Sequence, residues 1–418
     1  MTFRLVEIQR RLRIPIKVLR PGKREVAMAF VYLDHNATAP MLPEVLEGMM
    51  PYFTGQFGNP SALHSGGKRA LAAMKQARVS VANLLGCRAT EIVFTSGGTE
   101  GDNLALLGMV APGDHVITSV IEHSAILRTC HYLEQAGCQV TRVSANSNGQ
   151  VEPDEVRKAL RPNTKLISIM MANNETGVLQ PVEEIGRIAT EADAWFHTDA
   201  VQAAGKVPID VDRIGCDLLT ITAHKMHGPQ GTGALFVRRG TPLRPQLHGG
   251  HQERGRRSGT ENVPGVVGLG LASEFARRGL EDGSQSRIAS MRDQLESAVL
   301  GHIPDTGVSG AKAMRVSNTS NIYFDHIGAD ALVLALSERG VAASRGAACA
   351  SGEAEPSSVL MAMGLSGERS RSSVRFSLGK TNSEQDIEYL LSILPETVRR
   401  LRSASSFTSN PHKIVTHG

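Results

Sequence analysis

Apolar residues recur at helical spacing from Ser65 to Leu85, with Leu71, Met74, Val81 and the Leu84/Leu85 pair on one repeating pattern. The pattern then changes, and short apolar runs alternate with longer mixed stretches. The runs 92–95, 115–119, 164–171, 195–198, 218–222 and 234–237 read as strands, and the stretches 99–110, 123–136, 153–160 and 182–192 as helices. This alternation predicts an α/β fold built on a mostly parallel sheet with helices on both faces. Such sheets collect ligands at the carboxyl ends of their strands. After Gly259-Thr260-Glu261-Asn262 a Gly/Val-rich segment opens a long charged helix over 266–300, and a smaller α+β region follows over 303–400. The expected division is a large unit over 28–265, whose first residues are free to pack on the smaller one, and a small carboxyl-terminal unit over 266–402.

Charge changes the picture at the ends. The chain of 418 residues has a net charge of +4, but 1–27 hold eight Lys or Arg against Glu7 and Glu25. The remainder is therefore about −2 and offers no basic face for nucleic acid. Residues 1–27 read as a basic, disordered extension, as a transit segment, or as sequence ahead of a true start at Met28. Residues 403–418 read as a disordered polar tail. No run approaches the ~20 apolar residues that span a bilayer. Five cysteines (87, 130, 138, 216 and 349), an odd number without a C-x-x-C pair, argue for a reducing compartment and a cytoplasmic protein. The histidines and cysteines lack metal-ligand spacing, so no resident metal site is expected.

Candidate chemistry clusters at the ends of the proposed strands. Lys225, in Thr222-Ala223-His224-Lys225, lies 26 residues after Asp199 of Phe196-His197-Thr198-Asp199-Ala200-Val201-Gln202. An acid ending one apolar run and a lysine ending the next is the layout a pyridoxal 5'-phosphate enzyme needs. The lysine holds the cofactor as a Schiff base, and the carboxylate keeps the pyridine nitrogen protonated. Gly97-Gly98-Thr99 follows a strand and opens a helix, as phosphate sites do, although such turns are also common punctuation. His123 after the next strand is a structural histidine or an acid/base group stacked on a cofactor ring. Asn173-Asn174 is an Asx turn or a cofactor contact. Arg375 suits bidentate capture of a carboxylate, or is a strand surface charge. Cys349 lies among small residues and glycines, on an expected mobile loop where Arg345 would favour the thiolate. The other four cysteines read as packing.

Together these segments resemble the class V aminotransferase-related cysteine desulfurases, from about Tyr32 to Arg400. The matching pieces are Tyr32-Leu33-Asp34-His35-Asn36-Ala37-Thr38, Phe57-Gly58-Asn59-Pro60-Ser61, Gly98-Thr99-Glu100, Asn173–Gly177 and His224-Lys225. The segment from Gly249 to Asn262 looks most like the nitrogen-fixation branch, NifS. The resemblance implies the fold-type I architecture and a homodimer. It implies that Lys225 holds the cofactor, Asp199 pairs with its ring nitrogen, Gln202 meets the ring hydroxyl and His123 stacks above. Gly98, Thr99, Thr222, His224 and a partner's equivalent of Thr260 would hold the phosphate. Arg375, with Asn174 nearby, would bind L-cysteine, and Cys349 would take its sulfur as a persulfide, leaving alanine. An iron–sulfur scaffold protein would be the acceptor, with any iron–sulfur contact transient, and nitrogenase maturation the destination. Housekeeping cluster assembly, a selenocysteine lyase and a silent scaffold of the same fold are the alternatives. A lyase is disfavoured by the Ala348–Gly352 segment, and a scaffold by the presence of Lys225 and Cys349. Three departures stand out. His35 replaces the usual Asn, Arg345-Gly346-Ala347-Ala348 precedes Cys349, and Gln230 stands in Gly228-Pro229-Gln230-Gly231 where Lys is usual.

Overall fold

The computed structural model describes residues 30–345 and 355–408, with side chains to 404. A first short strand, β1 (Val31–Tyr32), precedes the seven strands of the main sheet. These are β2 (Ile92–Thr95), β3 (His115–Ser119), β4 (Gln139–Val143), β5 (Thr164–Ser168), β6 (Trp195–Asp199), β7 (Leu218–Thr222) and β8 (Gly233–Val237), in the spatial order β2-β8-β7-β6-β5-β3-β4. Within that sheet β8 alone runs against its neighbours. Six strands therefore end on the same edge. Strands β2, β3, β7 and β8 are buried along their whole length, and β6 beyond the half-buried Trp195, because helices cover both faces.

Strand β5 ends at Ser168, short of the apolar run 164–171. Ile169 and Met171 still donate to His197 and Asp199 carbonyls, but the Met170 N–H turns to the buried Glu122 carboxylate at 3.0 Å. That diversion ends the regular ladder. Strand β4 carries no apolar run because it is the sheet edge and largely solvated, so its pattern gave no sequence signal. The long helix expected over 266–300 is two helices, Val263–Gly279 and Ser284–His302. Gly283, with φ of +80°, supplies the left-handed residue at which the second begins.

A second core surrounds a three-stranded antiparallel sheet, β12-β10-β9, from β9 (Thr306–Val308), β10 (Thr319–Phe324) and β12 (Ser373–Ser377). Helices Ser284–His302, Ala329–Ser337 and Glu384–Thr408 pack on it, the last running past Ser403, where the polar tail was expected to start. Val31 and Leu33 join this core, and β1 pairs in parallel with β11 (Val341–Ala342). The chain then crosses to the main sheet edge: the His35 N–H donates to Ser377, and the Ala39 N–H to His224. That crossing brings Asp34 and Asn36 to the candidate residues.

Candidate functional site

Of the residues singled out in sequence, those from Gly98 to Lys225 sit where β2, β3, β5, β6 and β7 end, and Arg375 lies on β12. After β2, Gly97 adopts φ +154° and ψ −172°, a conformation open essentially to glycine alone. It starts helix Gly98–Met109, and no side chain caps the first turn. Its free N–H groups and the helix dipole therefore face outward as an anion site. A methyl on Gly97 would project toward Thr222 Oγ1, 3.8 Å away, and one on Gly98 would come within 2.9 Å of Val201. Thr99 is exposed beside them, and the Thr222 hydroxyl donates to the Thr232 carbonyl at 3.2 Å.

His123 ends the turn after β3 and caps helix Ser124–Gln135, its Nδ1 accepting from the Ala125 N–H at 3.1 Å. The structural reading is seen in the cap, and the ring is exposed. The cap leaves Nε2 as the protonated nitrogen of the neutral ring. After β5, Asn173 makes the Asx turn, its Oδ1 accepting from the Glu175 and Thr176 N–H groups. Asn174 takes no part in that turn with its side chain, and its carbonyl accepts from Arg375 and Asn36.

Asp199 ends β6, is buried, and accepts from the Val201 N–H at 2.8 Å. Burial pushes its carboxyl up, opposed by that N–H and by the charges of His123 and Lys225. Among the described residues it has no ion-pair partner within contact distance, so a buried acid here is suited to a cation supplied by a ligand. Lys225 follows β7. Its Nζ donates to the carbonyls of Asn36 and Ala37, the latter at 2.6 Å. Burial lowers its pKa to about 8; Arg375 lowers it too, against Asp34 and Asp199. A lysine so depressed is available as a neutral nucleophile. His224 is brought down to about 4 by burial and by Lys225, and its Nδ1 lies 3.2 Å from Thr38 Oγ1. Gln230 donates to the same hydroxyl, so its departure from the usual residue supports His224.

Arg375 is 4% exposed and not a surface charge. Its Nη2 donates to Asp34 Oδ1 at 2.7 Å and its Nη1 to the Asn174 carbonyl at 3.0 Å, while its buried Nε has no partner among the described residues. Ser344, just before Arg345, exchanges backbone hydrogen bonds with Arg375. Arg345 itself pairs with Asp330 at 3.1 Å. On the far side Ser357 donates to the buried Glu175 carboxylate at 2.6 Å. Cys349 lies between these two anchors and outside the described residues. Cys130, Cys138 and Cys216 are buried and Cys87 half-buried, and burial pushes the Cys87 and Cys130 thiols up to about 12. Thr260 is exposed and, among the described residues, has no hydrogen bond to the other candidates.

Sequence reasoning missed the residue that ties these parts together. Asn36, 2% exposed, accepts at its carbonyl from Gln202 Nε2 (3.0 Å) and Lys225. Its side-chain oxygen accepts from Lys206 and Asn318, and its Nδ2 donates to Thr319 and Asn174. The departure at His35 has a local fit: its ring lies edge-on to Tyr32 at 5.1 Å, and a methyl on Gly379 would fall 2.2 Å from it. Only glycine there admits a histidine at 35.

Aminotransferase class-V is the family whose profile matches residues 31–390. The chain belongs to that family, among its cysteine desulfurases. The cysteine desulfurase IscS of Methanosarcina thermophila is 46% identical over 92% of this chain and 96% of that protein. The cysteine desulfurase NifS of Azotobacter vinelandii is 44% identical over 91% and 96%. A solved structure named a NifS-like protein superposes with a TM-score of 0.84 at 36% identity, over 89% of this chain and all of that one. One titled SspA in complex with cysteine gives 0.75 at 39%, over 84% and all. The fold is therefore the fold-type I arrangement, and the chain is a pyridoxal phosphate-dependent enzyme.

The residues present fit that cofactor. The uncapped helix start with its glycine-only turn suits a doubly charged phosphate, the buried Asp199 a pyridinium, and the depressed Lys225 a carbonyl carbon. Among the described residues no group of three or more His, Cys, Asp or Glu is placed to hold a metal, and no helix is long and apolar enough to cross a membrane.

Proposed function

We propose that this chain removes sulfur from L-cysteine, leaving L-alanine and a persulfide on Cys349. The reaction balances without an added oxidant: the substrate C–S bond and the Cys349 S–H bond break, an S–S bond forms, and a proton equivalent to the one Cys349 gives up forms the new C–H bond of alanine. Lys225 would hold the cofactor, Asp199 its ring nitrogen, and Gln202 its ring hydroxyl. Gly98, Thr99, Thr222 and His224, with Thr260 of a second copy, would hold its phosphate. The bound cofactor supplies an electron sink for the substrate carbanion, which Asp199 maintains by keeping the ring nitrogen charged. Arg375 would orient the substrate carboxylate, sharing its guanidinium with Asp34. His123, with its proton on Nε2, would move protons above the ring, while Asn174 borders the substrate. The observation that carries this reading is the convergence of Lys225 and Gln202 on the Asn36 carbonyl, with Arg375 sharing the Asn174 carbonyl with Asn36 and the Asp199 charge acting on Lys225. The relative titled as a complex with cysteine supports the substrate.

A homodimer is supported by the expectation for Thr260 and by Leu46, Met50, Phe53, Phe57 and Leu63. These apolar side chains lie exposed along one stretch of chain that a second copy would cover. The persulfide would pass to an iron–sulfur scaffold protein in the cytoplasm. Likeness to NifS at Gly249–Asn262 favours nitrogenase maturation, whereas the IscS-named relative supports a housekeeping role. Mass spectrometry after exposure to L-cysteine tests the central step. One extra sulfur atom is expected on the peptide containing Cys349. A peptide unmodified in an enzyme that does form alanine would refute the persulfide route.

A further inference from the structure

Lys206 ends the turn that begins at Asp199 and lies four positions after Gln202, so both side chains leave the same face of that turn. Its Nζ donates to Gln202 Oε1 at 2.7 Å and to Asn36 Oδ1 at 3.2 Å. Both acceptors are neutral amide oxygens. A half-buried lysine held without a carboxylate is costly to keep, which raises the question of what it does.

The answer lies in the Gln202 amide. The Asn36 carbonyl can only accept, so the amide turns its nitrogen to Asn36, at 3.0 Å, and its oxygen to Lys206, which donates to it. Reversed, the amide would set N–H against N–H and oxygen against oxygen. The choice that is ordinarily ambiguous for a glutamine is thereby settled. One Nε2 hydrogen serves Asn36, and the second remains to be given to a ligand. Gln202 is thus a donor, never an acceptor, toward a ring oxygen, and the lysine polarises it in that sense.

We propose that Lys206 is a positioning residue that fixes and polarises the Gln202 amide as a donor to the cofactor's ring oxygen, thereby tuning the pH at which the cofactor–Lys225 pair gives up its proton. This rests on the assignment of Lys225 and Gln202 as cofactor ligands. The surroundings are consistent with tuning. Lys225 and Arg375 are the charges that act on Lys206, and together with its burial they hold its amine well below the usual lysine range. Lys225 in turn faces Asp34 and Asp199 as well as Arg375, and its charge bears on His224. His35 and His227, whose rings are 5.6 Å apart, line the cavity beside Lys206, and burial lowers the pKa of both, that of His35 to about 3. Lys380 lines it too but is paired with Asp282 at 3.6 Å.

The test is a pH titration of the visible absorbance of the cofactor-loaded protein, alongside its affinity for pyridoxal phosphate, in wild type, Lys206→Met, Gln202→Ala and the double variant. Losing the polarised donor lets the pair keep its proton to higher pH, so the midpoint in Lys206→Met rises by about one pH unit. In the Gln202→Ala background the same change should produce little further shift, because the two act as one unit. Lys206→Gln, which keeps a donor and removes the charge, should shift less than Lys206→Met, and it serves in its place if the methionine variant fails to fold. A wild-type midpoint in Lys206→Met overturns the proposal. So do shifts that add in the double variant, for then Lys206 acts independently of Gln202. A wild type without a Lys225-dependent visible band instead overturns the cofactor assignment, and the proposal falls with it.

Discussion

Asn36 sits between the main sheet edge and the small sheet with every polar atom of its side chain engaged. Replacing it with alanine would strand Lys206 and Asn318 donors at once, and each unsatisfied buried group costs about 1–3 kcal/mol. The expected outcome is a protein destabilised by roughly 3 kcal/mol in chemical denaturation, with weakened cofactor binding. At Arg375, exchange for lysine keeps the charge and loses the fork that serves Asp34 and Asn174. The expected loss in kcat/KM for L-cysteine is about 10- to 100-fold, chiefly in KM, as for removal of a charge-assisted hydrogen bond. Lys225 gives a pH signature in the cofactor-free protein. Its native pKa of about 8 lies below the ordinary 10.5, so between those values the unfolded state binds more protons. Stability therefore rises with pH across that window. The stability gap between Lys225→Met and wild type should shift steadily in favour of wild type from pH 8 to 10.5, in denaturant titrations. Lys225 and Asp199 were legible in sequence because each ends an apolar run. Asn36 and Lys206 were not, because their meaning comes from partners distant in sequence or from the direction of a single amide.

At the scale of elements, strand ends carry the candidate residues, and the helix start at Gly98 leaves its first turn without a side-chain cap. The turn at Gly97 is the sharpest example, for its backbone conformation excludes side chains. Gly97→Ala should cost about 1–3 kcal/mol of strain, read as weaker retention of pyridoxal phosphate on dialysis with secondary structure intact. The β-α rhythm was readable because fully buried strands are continuous apolar runs. It failed at β4, whose edge position removes the need for such a run, and at Leu280–Gly283, where a charged, polar sequence is compatible with continuous helix until Gly283 turns left-handed. The end of β5 was misplaced because Glu122, distant in sequence, captures the Met170 N–H.

At the scale of the whole molecule, the amino-terminal strand belongs to the second core while Asp34 and Asn36 serve the main sheet edge. This double allegiance could not be read from local pattern, since β1 is only two residues long. The homodimer proposed above makes a specific forecast. Subunits carrying Lys225→Ala mixed with subunits carrying Thr260→Ala should regain activity, because each mixed dimer then contains one intact site. Recovery absent from refolded mixtures that do form mixed dimers would show that Thr260 serves no partner site. The most direct test of the account is alanine released from L-cysteine, with reductant present, by wild type and by Cys349→Ala. The account predicts alanine from wild type and almost none from the variant. Equal alanine from both, or none from a wild type that retains its cofactor, would contradict it.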